Sequence, residues 1–164
     1  MRDAVHAARR VAAGDGIRLA AVAFAITCVY SSVVSVRDDL PGRPLGLRIP
    51  LTVPVGLLVG WGAAVAAPWP MPLGALVAAT RARDADAGDG AALVCAGIGV
   101  AGVVGLLMEP NTYAVRTQSP ANRVAIVAGF VTTSALAVAG LRRWGAARGG
   151  GTSGVASAVT APRG

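Results

Sequence analysis

Apolar residues run in four nearly unbroken stretches, and charged residues gather almost entirely between them. The stretches cover residues 19–36, 49–67, 91–108 and 124–141. At a rise of 1.5 Å per residue each covers about 27 Å, close to the roughly 30 Å of a bilayer's hydrocarbon core. The pattern predicts an all-α integral membrane four-helix bundle over residues 19–144. A basic arm, residues 1–18, precedes it, and a Gly/Ala/Ser/Thr tail, residues 145–164, has little to bury and is expected to be disordered.

The arm with the first apolar run is laid out like a signal peptide. The run is longer than the 7–15 residues of a signal core and no Ala-x-Ala site ends it, so it reads as a retained span. The second run opens with Pro50 and Pro54, where a missing N–H costs least, and is expected to end by Pro68, Pro70 and Pro72. Residues 73–80 are apolar but too few to span. Residues 81–90 read as a solvated loop, and Glu109-Pro110-Asn111 stops the third run. Arg142, Arg143 and Trp144 close the fourth as an interfacial anchor. Three crossings instead of four would follow if the proline-rich second run were re-entrant.

Composition strengthens the membrane reading. Apolar residues make up 54% of the 164, aromatics only 4%, and mean hydropathy is +0.61, above what soluble domains show. Small aliphatic residues dominate, which suits close helix packing in lipid. The net charge of +7 comes from arginines at the flanks of apolar runs, where they set orientation rather than bind nucleic acid. Ten arginines fall on the side of the two termini and five on the other, which predicts a multi-pass protein of the cytoplasmic membrane with both termini cytoplasmic. In size, composition and span layout the whole chain resembles small four-span membrane proteins of GC-rich, actinobacterial-type bacteria. That resemblance brings no motif and implies no catalytic residue.

Candidate chemistry is sparse. Cys28 and Cys95 lie in separate apolar runs and fit no zinc or thioredoxin-like pattern. Asp84, Asp86 and Asp89 lack the glycine and glutamate of a calcium loop. No metal or other cofactor is therefore expected. No charge interrupts a span, so neither the embedded glutamate of small multidrug exporters nor the CxxC of quinone-linked thiol oxidoreductases has a counterpart. Small residues recur at four-residue spacing: Ala23, Thr27, Ser31 and Ser35; Gly56, Gly60 and Ala64; Gly97, Ala101 and Gly105; Gly129, Thr133 and Ala137. Such stripes let helices approach closely, and the hydroxyls of the first could line a path.

Glu109, the sole glutamate, is expected in an outer-face polar cluster with Arg37, Asp38, Asp39, Arg48 and Arg123. The bland reading of Glu109 is a helix-terminating carboxylate paired with an arginine. Four stripes in so few spans favour a non-enzymatic protein that works through helix contacts, as an accessory subunit of another membrane protein or a homo-oligomer. The alternative is a small transporter or channel for an uncharged or lipophilic solute.

Overall fold

A computed structural model describes residues 2–47, 50–60, 62–82, 84, 87–114 and 116–149, with side chains from 11 to 146. Among these are five helices, α1 (Arg2–Arg37), α2 (Val53–Val59), α3 (Pro70–Arg81), α4 (Gly88–Met108) and α5 (Pro120–Gly149), and no β-strand. Single 3-10 turns, Pro44–Gly46 and Pro110–Tyr113, sit in the connections. Three helices are long and apolar enough to cross a membrane, over Val11–Arg37, Gly88–Met108 and Pro120–Ala146, the pattern of a multi-pass membrane protein. None contains proline beyond its first position, so their hydrogen-bond ladders run unbroken. On α1, Leu19, Ile26 and Val33 point outward every seventh residue while Ala21, Phe24 and Cys28 are buried. An apolar face this long is stable only against lipid or another protein.

The helices close into a ring in which α1 packs on α5, α5 on α4, α4 on α3 and α3 on α1. The α4–α5 contact is the closest. A Cβ built on Gly99 would sit 2.4 Å from the Ala137 nitrogen, and one on Gly140 2.5 Å from the Ala92 carbonyl oxygen. Backbone meets backbone there, so only glycine fits. Below this crossing the core gathers Ile17, Phe24 and Cys28 of α1 with Ala75, Cys95 and Leu136 of the other three. Both cysteines are buried and free.

Side-chain bonds fix the two ends of the ring. At one, Arg18 donates to the carbonyls of Ala79 (3.3 Å) and Thr80 (3.2 Å), capping α3 with a cation. At the other, Ser119 donates to Asp38 (3.1 Å) and Tyr30 to the Ala121 carbonyl (3.3 Å), joining the end of α1 to the start of α5.

The second apolar run departs most from expectation. It is helical only over Val53–Val59. Gly60 (φ 101°) and Gly62 (φ 75°) take left-handed conformations that stop the helix, and residues 63–69 are irregular. Pro68, Pro70 and Pro72 do not simply end a helix; Pro68 precedes the Trp69 N-cap of α3, and Pro70 and Pro72 sit in its first turn, which has no N–H bonds for proline to remove. Residues 73–80 therefore belong to a twelve-residue helix. The break is held by its neighbours: Ala64 N–H donates to Leu40, Gly62 N–H to Gly56, and Trp69 N–H to Leu57.

Two boundaries also move. The arm and first span form one helix with no break at residue 18, and α5 runs eight residues past Leu141 into the expected tail. Residues 150–164 lie outside the described residues, as does Trp61.

Candidate functional site

Because α2 stops short, the ring holds a cavity of about 230 Å³ between the irregular segment 63–68 and helices α1, α4 and α5. Phe24, Met71 and Leu106 give it an apolar wall, and Thr27, Ser31 and Glu109 bring polar groups to it. Ser31 is 2% exposed, and its Oγ has no hydrogen-bond partner among the described residues; Ser32 and Ser35 share that state. A buried hydroxyl left unpaired costs free energy on the order of 1–3 kcal/mol. The Thr133 hydroxyl, also on the wall, is already committed to the Gly129 carbonyl at 2.7 Å.

Glu109 follows α4 directly and is 6% exposed. Its Oε2 accepts the Arg43 backbone N–H at 2.9 Å. Desolvation pushes its pKa up, against the opposing pull of the Arg43 and Asn111 N–H groups and the Arg43 charge. The loop that carries it is pinned to α4 by Thr112, which donates to Leu106 (2.6 Å), and Tyr113, which donates to Leu107 (2.8 Å), and is braced within itself by Gln118, which donates to the Asn111 carbonyl.

A raised carboxyl pKa means that protonation favours the folded chain. That stabilisation is fully present below the ordinary value of 4.5 and is lost as pH rises through the raised folded value. Glu109→Gln keeps an acceptor for Arg43 and removes the buried charge. Its melting temperature should match wild type in acid and exceed it increasingly above pH 4.5, in paired thermal melts of the detergent-solubilised protein. Parallel curves at all pH values would contradict the buried-carboxylate geometry.

The expected outer-face cluster is not one cluster. Arg37 pairs with its neighbour Asp38 at 2.7 Å and holds that carboxyl below the usual range, with Ser119 adding a second bond. Glu109 meets the backbone of Arg43 instead of an expected guanidinium. Asp39 (φ 45°) is exposed in the turn after α1. Arg123 is exposed on the face of α5 that also presents Val124 and Val127. Arg48 lies outside the described residues.

The small-residue stripes divide in the same way. Gly56 presses against the Gly62 carbonyl, Ala64 is buried beside Val34, and Gly129 and Thr133 pack toward α4. Gly60 is exposed as the left-handed stop of α2, not part of a packing stripe. On α4 the expected face is reversed: Gly97, Ala101 and Gly105 are exposed, and a Cβ on Gly97 or Gly105 would meet nothing within 4 Å. Gly99 and Gly102 make the close contacts instead. Both spacings are present on a helix this rich in glycine, so spacing could not select the face.

One ion pair had no warning in the sequence. Arg143, placed by the pattern in an interfacial anchor, is the largest fully buried side chain among the described residues. Its Nη1 meets Asp89 Oδ1 at 2.7 Å and its Nε donates to the Ala82 carbonyl at 3.3 Å, tying α5 to the start of α4. Its only sequence signal is position, a cation two residues beyond an apolar run, which fits an interfacial role equally well. Among the described residues no three His, Cys, Asp or Glu side chains gather in a metal-ligand set.

No protein-family model, curated protein or solved structure matches this chain.

Proposed function

We propose that this is a membrane carrier or pore for a small lipophilic solute, which enters the cavity bounded by residues 63–68. The carrying observation is a partly open cavity whose wall presents an unpartnered, 2% exposed Ser31 hydroxyl beside irregular backbone. Non-helical backbone at membrane depth is tolerated where it lines a cavity or is buried in protein. Transporters build substrate sites from discontinuous segments.

In this reading the chain crosses the cytoplasmic membrane four times, and the second crossing is the interrupted path from α2 through the break to α3. Two observations support it. The α3 C-terminus lies beside Arg18, toward the N-terminal end of α1, while the break lies beside Val34 and Leu40 at the other end. Arginine excess on the terminal side supports cytoplasmic termini.

A second reading has its own observation. The surface of α4 at Gly97 is exposed, unused by the bundle and outside the cavity that Ala101 and Gly105 border, as an accessory subunit or homo-oligomer would require. Two substitutions separate the readings. Gly105 borders the cavity with open space around it, so Gly105→Leu should block solute without disturbing the fold. Gly97 is not among the cavity residues, so Gly97→Leu should leave flux intact and weaken association only if that face is an interface. Proteoliposome flux over neutral and lipophilic solutes, with crosslinking on the same samples, reads both. Absence of flux for every solute would overturn the carrier reading.

A further inference from the structure

We infer that the cavity selects an amphiphile with a cationic amine head, held by Glu109 while its apolar body lies against Phe24, Met71 and Leu106. The inference rests on the carrier reading and adds the class of solute. Among the described residues Glu109 is the only ionisable acid or base, apart from the Cys28 thiol, on the cavity wall. At 6% exposure it has lost most of its water, and the backbone N–H groups of Arg43, at 2.9 Å, and Asn111 replace only part of what a carboxylate held in solution. The Arg43 side chain, the nearest cation named in its electrostatics, is exposed, and Arg43 is not on the wall. A ligand ammonium can therefore approach the carboxylate from the cavity side.

The remaining wall fits the rest of such a molecule. Most of it is apolar, from alanines, Pro68 and the three large side chains, so it accommodates an alkyl or aryl body. The free Ser31 Oγ can donate to or accept from a single polar substituent. A small organic anion would meet the Glu109 charge, and a purely apolar solute would leave the Ser31 hydroxyl unpaired and give the Glu109 charge no counterion.

Cys28 lies on the same wall and serves as the reporter, whereas Cys95 is fully buried and outside the cavity. The full chain carrying Cys95→Ser is placed in lipid nanodiscs, and Cys28 alkylation by N-ethylmaleimide is timed with hexylammonium or its neutral isostere hexanol. Hexylammonium should slow alkylation at concentrations about tenfold below those needed for hexanol, as befits a charge-assisted bond. In Glu109→Gln the advantage of the amine should vanish while hexanol still protects, which shows that the cavity remains folded. Equal protection by both, unchanged by Glu109→Gln, would overturn the amine assignment and leave the cavity reading standing. Failure of either compound to protect Cys28 would remove the cavity reading and this inference with it.

Discussion

Gly99→Val should prevent α4 from seating on α5 and cost about 3 kcal/mol or more, the upper range for overpacking. Even the first added carbon would lie 2.4 Å from the Ala137 nitrogen and 2.6 Å from the Thr133 carbonyl oxygen. Neither is the end of a flexible side chain, so relief requires one helix to move bodily. Movement there would also open the second close point, where Gly140 meets Ala92 and Ala96. The expected readout is loss of a cooperative thermal transition in detergent and poor recovery from membranes. Gly97→Ala, two residues away with nothing within 4 Å, should be neutral or raise stability by up to about 0.5–1 kcal/mol through better helix propensity. Equal effects at the two positions would mean that α4 presents a different face to α5.

The second large effect is expected at the Asp89–Arg143 pair. Asp89→Ala strands a guanidinium whose side chain is 1% exposed, with only the Ala82 carbonyl left to it. Removing one partner of a buried pair costs about 3–5 kcal/mol. Asp89 itself keeps 48% of its surface, so water can enter and about 2–3 kcal/mol is expected. Arg143→Met should cost less, because its unbranched chain refills part of the space and the remaining carboxylate is half in water. The double variant Asp89→Ala, Arg143→Met should be more stable than the sum of the singles, a coupling that melts of all four proteins measure directly. Arg142, exposed on the same turn, is the control, and Arg142→Met should shift stability by no more than about 0.5 kcal/mol.

These sites show where the sequence was legible. Runs of apolar residues without proline located α1, α4 and α5 because a ladder of that length needs only continuity, which composition reports directly. The second run misled because prolines carry two meanings. Pro68 and its neighbours forbid a helix before them and favour one after them, and only the tertiary setting of Trp69 against Leu57 decides between the two. The α4 face was illegible for a different reason. In a stretch with glycine at 97, 99, 102 and 105, several stripes exist, and the partner helix chooses one.

The candidate site was half legible. Glu109 stood out as the sole glutamate and proved buried at the end of α4, and the Ser31 hydroxyl was already on a stripe of interest. Their relation was not readable, because the cavity between them exists only where α2 breaks off, and that break depends on Gly60 and Gly62 taking positive φ. Arg143 was hidden because its burial comes from Asp89 and Ala82, more than fifty residues earlier in the chain.

Cysteine scanning of residues 63–67 tests the cavity most directly, in a background of Cys28→Ser and Cys95→Ser and with a small water-soluble methanethiosulfonate applied to intact membranes. An irregular segment facing a reachable cavity predicts modification at consecutive positions, with protection by any solute that the protein carries. Modification confined to every third or fourth position, or none, would mean that the second apolar run is a continuous helix packed in the bundle, with no cavity for a solute to enter.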